Sequence, residues 1–311
     1  MVPPSPLSTS ASSSSVRVDV GGEKLKLTNL DKVLYPATGF TKGEVIDYVV
    51  AVSDPLLAAL ADRPLTRKRW PDGVESQPFF EKNKPRGTPD WVRTVFFAEH
   101  GDDGVDYVIA DRLPTLVWLA NLAALELHVP QWTVGPRGGV RSPDLLVFDL
   151  DPGPPASIVE CCRVATLLRE RLDVDDLRAW PKTSGNKGAQ LYVPIKPAGS
   201  GRTSAYAKQL ATELSREHPD LVVSTMAKGA RGGKVFIDWG QNNPAKTTVA
   251  PYSLRGTERP QVSTPLSWDE VESVESAAEL VFGPAQAQQR LADLGDLLAP
   301  MREVEQTLPA G

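Results

Sequence analysis

Apolar and polar positions alternate from Val16 to Val20 and again around Leu25 and Leu27, which predicts two half-exposed strands turning at Gly21-Gly22. Residues 1–15 are Ser, Pro and small side chains with little to bury, so a disordered tail is expected there. A turn follows at Thr28–Lys32, and Thr41 is placed to cap a helix running through Val45, Ile46, Tyr48 and Val49 toward Leu60. From Leu113 to Leu127 the apolar residues recur at helical spacing until Pro130 ends the pattern. Ser157 to Leu172 predicts an amphipathic helix opened by a Ser157/Glu160 capping box. Ala189–Val193 resumes as a strand, and a helix is expected over 202–217. Beyond Pro265, Leu266–Glu270 has the pattern of a capped helix start, and Gln286 to Leu298 is a second amphipathic stretch. These last helices are expected to pack outside the main fold.

Two apolar runs break the general pattern by ending in carboxylates. Leu145–Leu150 carries Asp149 and leads through Asp151 into Pro152 and Gly153, and Lys234–Ile237 leads into Asp238. Short runs containing Val and Phe and closed by Pro and Gly favour buried strands over helices. Residues i and i+2 of a strand share a face, so Asp149 and Asp151 lie roughly 7 Å apart along the backbone. Two carboxylates that close repel unless a cation lies between them, and hard divalent ions accept such oxygens. A pair of these ions can clamp a transferring phosphoryl group. The plainer reading is a strand-end turn, since Asp, Pro and Gly are ordinary turn residues. Between the two runs lies Thr183–Gly188, whose glycines, hydroxyls and Lys187 suit a triphosphate. Its spacing is not that of a Walker A loop.

Composition narrows the picture without deciding it. A chain of 311 residues with 41% hydrophobic content has room for a sizeable core. No apolar run approaches the roughly 20 residues needed to span a bilayer, and a cytoplasmic location is expected. Cys161 and Cys162 are adjacent and cannot staple distant segments, and the three histidines are too scattered for a structural zinc site. A net charge of −5 argues against indiscriminate nucleic-acid binding while leaving room for a local basic patch. Arg67-Lys68-Arg69-Trp70, followed by Phe79-Phe80-Glu81-Lys82, has the mixture of cations and aromatics expected of a single-strand or gap-binding surface. The alternative is a strand with solvated charges and one core aromatic, because neighbouring phenylalanines on a strand point to opposite faces.

VFDLDPG, TSGNKG, KVFIDWGQN and KTTVAPYSLRG, together with LTNLDKVLYPATGFTK and RKRWPDG, closely resemble the polymerase domain of bacterial DNA ligase D, a branch of the archaeo-eukaryotic primase-polymerase superfamily. The resemblance runs from about Leu25 to about Gly256. It implies an α/β (α+β) fold: an N-terminal α/β module over about 16–140, an RRM-like catalytic sheet over about 141–262, and C-terminal helices over about 263–300. It implies two divalent metals, Mn²⁺ or Mg²⁺, held by Asp149, Asp151 and Asp238, and template-directed addition of nucleotides, with ribonucleotides preferred or incorporated at least as readily as deoxyribonucleotides. His128, Ser184, Lys187, Arg231, Gln241 and Arg255 are then nucleotide-site residues. Gln190 stands where relatives usually carry a His, which puts in question how the triphosphate or ribose is held. Asn29, Lys32 and Lys42 correspond to a pocket for the 5′-phosphate beyond a gap, and a lysine at a helix start would add backbone donors there. Arg69, Phe79, Phe80 and Lys82 correspond to the template contact. The implied partners are gapped or broken DNA, NTP or dNTP, and an ATP-dependent ligase with an end-binding protein acting in trans. No ligase or nuclease pattern occurs in these residues, so the chain reads as a stand-alone, monomeric relative. Two other classes compete: a haloacid-dehalogenase-like phosphatase, which would need Thr or Val where Gly153 stands, and a non-catalytic module for DNA ends.

Overall fold

The computed structural model describes residues 15–309 apart from 101, 102, 226, 228 and 230, and only the backbone of 99 and 100. The expected tail therefore lies outside the described residues, except that Ser15 already pairs with Thr28.

The chain opens with two hairpins, β1 (Ser15–Val20) with β2 (Glu23–Thr28) and β3 (Val33–Tyr35) with β4 (Phe40–Thr41). Helices α1 (Lys42–Ala51) and α2 (Ser53–Leu60) follow where one helix was expected. Pro55 accounts for the break: it has no N–H for the carbonyl of Ala51, so the helix closes at Val52 and restarts. Strands β5 (Thr66–Arg69) and β6 (Phe79–Glu81) precede the hairpin β7 (Thr94–His100) with β8 (Asp103–Val108) and helix α3 (Leu113–Asn121). The helical reading through Leu127 is corrected here. Ala123 takes a left-handed φ of 56°, and 124–129 form strand β9 (Ala124–Val129). Leu125, Leu127 and Val129 alternate with Glu126 and His128, and that period of two prevails over the helical spacing upstream.

Strands β5, β6 and β9 form a four-stranded sheet with β15 (Thr248–Val249) in the order β15-β9-β5-β6. The second sheet holds β10 (Leu145–Pro152), β11 (Trp180–Thr183), β12 (Ala189–Pro194), β13 (Val222–Val223) and β14 (Val235–Asp238), ordered β11-β12-β10-β14-β13. Helices α4 (Ile158–Val174), with the expected Ser157/Glu160 capping box, and α5 (Ser200–Glu217) cover one face of it. Leu146, Phe148 and Leu150 of β10 are buried there against Cys161, Leu168 and Leu210. The opposite face of β10 carries Leu145, Val147, Asp149 and Asp151, so the acids stand on the side turned away from those helices.

The module boundary expected near 262 does not follow the packing. Ala250, Tyr252, Leu254 and Val262 lie in the core of the first sheet, with β16 (Leu254–Arg255) and β17 (Gln261–Val262) pairing beside it. The chain thus leaves the acid-bearing sheet after Asp238 and brings Arg255 back to it from the other core. The C-terminal helices divide between the modules: α6 (Trp268–Ser273) packs on α4 and β11, and α7 (Pro284–Leu294) on α1 and β17.

Candidate active site

Strand register assembles the centre of the site. β10 lies antiparallel to β14 with Asp149 opposite Asp238, and antiparallel to β12 with Asp149 opposite Gln190; Gln190 in turn lies opposite Lys182 of β11. Directly opposed residues project to the same face, so Lys182, Gln190, Asp149 and Asp238 form one polar row across four strands. Asp151 stands two residues along β10 on that face. Burial, the Asp151 charge and the Asp238 charge together push the Asp149 carboxyl up to about 7, against a hydrogen bond from Gln190 Nε2 to its Oδ1 at 2.8 Å. Asp151 is raised as well, by burial and by Asp238, while Arg231 and Lys187 pull it back down.

Asp238 is also a cap. Its Oδ1 accepts from Gly240 N at 3.0 Å and its Oδ2 from Gln241 Nε2 at 2.9 Å, which starts the 3₁₀ turn Trp239–Asn242. Accordingly, among the described residues no three His, Cys, Asp or Glu side chains stand close enough to chelate an ion as they are.

The glycines of the two flanking loops bring chain into contact with this row. A Cβ on Gly153 would fall 1.9 Å from the carbonyl oxygen of Arg231, so only glycine lets Arg231 pass this close to the end of β10 beside Asp151. Arg231 lies over the Phe236 ring at 3.8 Å. Gly185, at φ 70°, would place a Cβ 2.8 Å from Arg255 Cγ. The 183–188 loop closes on itself through Ser184 N to Gly188 O at 2.8 Å, and Arg255 Nη1 donates to Ser184 O at 3.0 Å.

A cavity of about 190 Å³ opens above the row. Asp149, Asp151 and Gln190 form its floor, Ser184 and Lys187 come from the loop, and His128, Gln241 and Arg255 complete the wall. Larger cavities of about 390, 420 and 460 Å³ lie elsewhere, so size does not identify this one. Its chemistry does: two pressed carboxylates and, nearby, the cations Lys187, Arg231 and Arg255. The departure at Gln190, expected to bear on the triphosphate or ribose, bears directly on Asp149 as well.

Two members of the cluster escaped the sequence reading. Glu126, on β9 and 3% exposed, accepts from His128 Nε2 at 2.8 Å and from Gly256 N at 3.0 Å. Lys182, fully buried at the end of the row, donates to Ser263 Oγ and to Thr183 O. The signal for Glu126 was its i+2 spacing to His128, hidden by the helical reading of that stretch.

The other sequence-nominated residues lie apart from the cavity. Phe79 and Phe80 are both exposed, 53% and 60%, because β6 is an edge strand and neither face is covered; the alternative, in which one of them is core, does not hold. Arg69 pairs with Glu81 at 2.9 Å and lies over the Phe79 ring, and Lys82 is exposed. At the first turn, Lys42 is buried and its Nζ donates to Asn121 O at 2.9 Å and Thr28 Oγ1 at 3.2 Å, while Lys32 pairs with Asp72 at 2.8 Å. The start of α1 does not offer free backbone donors: Lys42 N bonds Lys32 O, Gly43 N bonds Leu30 O, and Thr41 forms a capping box with Glu44. Asn29, left-handed at φ 53°, is exposed beside them.

Comparison with known proteins gives a consistent result. A family model described as LigD, primase-polymerase domain, matches residues 41–298. The multifunctional non-homologous end joining protein LigD of Mycolicibacterium smegmatis is 44% identical over 281 residues, 90% of this chain and 36% of that protein. The bifunctional LigD of Bacillus subtilis is 36% identical over 252 residues, 80% of this chain and 40% of its own. The chain thus spans little more than a third of the length of these curated relatives. A solved structure titled as the polymerase domain of Mycobacterium tuberculosis ligase D in complex with DNA superposes with a TM-score of 0.84 at 41% identity, over 92% of this chain and 99% of that one. None of these relatives supports the phosphatase reading.

Proposed function

The chain belongs to the LigD primase-polymerase family, and from that premise we propose that it is a metal-dependent nucleotidyltransferase that fills short gaps or extends broken ends of DNA carrying a downstream 5′-phosphate, using NTP or dNTP. The observation that carries this reading is the register of Asp149 against Asp238, with Asp151 on the same face of the strand, at a cavity lined by Ser184, Lys187 and Arg255.

The residues fit a pair of hard divalent ions. Their donors are carboxylate oxygens, and the upward pressure on Asp149 and Asp151, from burial first and from neighbouring carboxylates second, is what a bound cation would offset. Asp149 and Asp151 would hold both ions, with Asp238 joining by giving up its bond to Gln241. Mn²⁺ or Mg²⁺ bound there supplies charge to activate a primer 3′-hydroxyl and stabilise leaving pyrophosphate.

The chain's own residues do the rest. Gln190 holds the Asp149 carboxylate toward the cavity by its 2.8 Å bond. Lys187 and Arg231, the cations nearest Asp151, together with Arg255, would receive the triphosphate oxygens by charge-assisted hydrogen bonds. The buried Lys182, which burial and the Arg255 charge push well below the ordinary lysine value, backs the row beside Gln190 without reaching the substrate. Phe79 and Phe80, exposed on an edge strand with Arg69 alongside, suit stacking on an unpaired template base, worth roughly 1–3 kcal/mol per base. Lys32, Lys42 and Asn29 would take the 5′-phosphate by displacing Asp72 from Lys32. A ligase and an end-binding protein would then act on the filled product. No described helix is long and apolar enough to cross a membrane.

The test is extension of a primer across a one-nucleotide gap with each divalent ion and with ATP against dATP. Templated addition that stops on chelation supports the reading; binding of the gapped DNA without any addition would leave only an end-binding module.

A further inference from the structure

Glu126 is a buried carboxylate with partners on both oxygens, and the nucleotide-transfer mechanism does not use it. Oε1 accepts from Gly256 N at 3.0 Å and lies 3.3 Å from Arg255 Nε; Oε2 lies 2.8 Å from His128 Nε2 and 3.5 Å from Lys68 Nζ. Four donors thus converge on two oxygens, and they come from three segments: β5, β9 and the 255–256 turn. Two of the donors, His128 and Arg255, line the nucleotide cavity.

A buried carboxylate accepts hydrogen bonds and does not donate them, so the shared proton sits on His128 Nε2. Burial works against the Glu126 charge, yet the bonds from His128 and Gly256 and the charge of Arg255 outweigh it and hold its carboxyl at about 2. Burial likewise pushes His128 below its ordinary value, against the pull of Glu126 and with the help of Arg255 and Lys68, so the ring is neutral at pH 7. A neutral imidazole with its proton on Nε2 has a lone pair on Nδ1. That nitrogen makes no hydrogen bond among the described residues.

We propose that Glu126 is the positioning residue of the nucleotide subsite: it fixes His128 as the Nε2–H tautomer, so that Nδ1 is presented to the cavity as an acceptor for a sugar hydroxyl of the incoming nucleotide. Phosphate oxygens carry no proton to donate to such a nitrogen at neutral pH, so the triphosphate belongs to Lys187, Arg231 and Arg255, and the hydroxyl to His128. The same carboxylate holds Arg255, which reaches Ser184 O at 3.0 Å, so sugar and triphosphate contacts share one anchor. This inference rests on the nucleotide-transfer reading and deepens it.

Glu126→Gln inverts the arrangement. If the amide oxygen stays with Gly256 and Arg255, its NH₂ faces His128 Nε2, and the ring answers by moving its proton to Nδ1. The acceptor at the cavity then becomes a donor.

The experiment has two readings on the whole chain. Nitrogen-15 NMR of the imidazoles, with His128 assigned by His128→Gln, should report Nε2–H in the wild type and a shift toward Nδ1–H in Glu126→Gln. Single-nucleotide addition should show KM for ATP raised about tenfold in Glu126→Gln with kcat within about threefold, the loss expected when a hydrogen bond is left unmade. The KM rise should shrink for whichever of 2′-deoxyATP or 3′-deoxyATP lacks the contacted hydroxyl. An Nδ1–H tautomer in the wild type, or an equal KM rise with ATP and both deoxy analogues, overturns the proposal. If the wild type adds no nucleotide at all, the transfer reading fails separately. The tautomer, with direct titrations of ATP and the two analogues, then decides this inference.

Discussion

The nucleotide cavity and the lysine turn at the start of α1 were both nominated from the sequence as anion-handling sites, yet the fold treats them in opposite ways. In the cavity, strand register forces Asp149, Asp151 and Asp238 onto one face, and burial and mutual repulsion drive the first two carboxyls upward. Gln190 Oε1 is buried there with no hydrogen bond. In the turn, both lysines have found partners: Lys32 has Asp72, Lys42 has Thr28 and Asn121, and the first backbone donors of α1 have the carbonyls of Leu30 and Lys32. Strands in a closed ladder cannot relax their register, so a site built on them keeps unsatisfied chemistry ready for a ligand. A site built on a turn and long side chains satisfies itself until the ligand displaces the internal partner.

The largest effect should come from the strained site. Asp149→Asn is expected to lower nucleotide addition by at least about 10³-fold while raising the melting temperature of the metal-free protein. Because burial and Asp151 raise the folded-state value to about 7, the contribution of Asp149 to stability is present below the ordinary carboxylate range and lost as pH rises through about 7. Asn removes that loss. A gain on the order of 2 °C at pH 8, seen by thermal unfolding, meets the expectation, and a lower melting temperature contradicts it.

Smaller effects belong to the turn. Lys32→Ala with Lys42→Ala should bring affinity for 5′-phosphorylated gapped DNA down about tenfold or more, to that of the 5′-hydroxyl form, at one stated salt concentration. Burial, and secondarily the neighbouring Lys32, lowers Lys42 to about 8, so the wild-type preference for the phosphate should fade as pH rises from 7 to 9. Equal loss on both DNAs would reduce these lysines to a general basic surface. The smallest change expected is a gain. Asp72→Asn frees Lys32 from an exposed pair worth at most about 1 kcal/mol, so phosphate preference should rise by a few-fold in the same titration.

The contrast also explains what could be read in the sequence. The runs into Asp149 and Asp238 were legible because an apolar strand that ends in Asp, Pro and Gly has few other conformations, and the loop glycines at 153 and 185 mark crossings that no Cβ permits. The stretch 122–129 was misread because Leu and Ala dominate it, and both helix and fully buried strand show such runs. With that strand went Glu126, the carboxylate under His128 and Arg255. The burial of Lys42 and Lys182 was not legible either, since lysine is ordinarily solvated and only tertiary carbonyls and hydroxyls reveal their partners. The two halves of the molecule also exchange a segment, 248–262, that no composition change announces.

The central claim is that carboxylates brought together by β10 and β14 carry out the chemistry. Its most direct measurement is the rate of single-nucleotide addition to a one-nucleotide gap with saturating Mn²⁺ and ATP, for the wild type and Asp238→Ala. The account predicts templated addition by the wild type and none above background by the variant, with the fold intact by circular dichroism. An Asp238→Ala protein that extends the primer at near wild-type rate would contradict it.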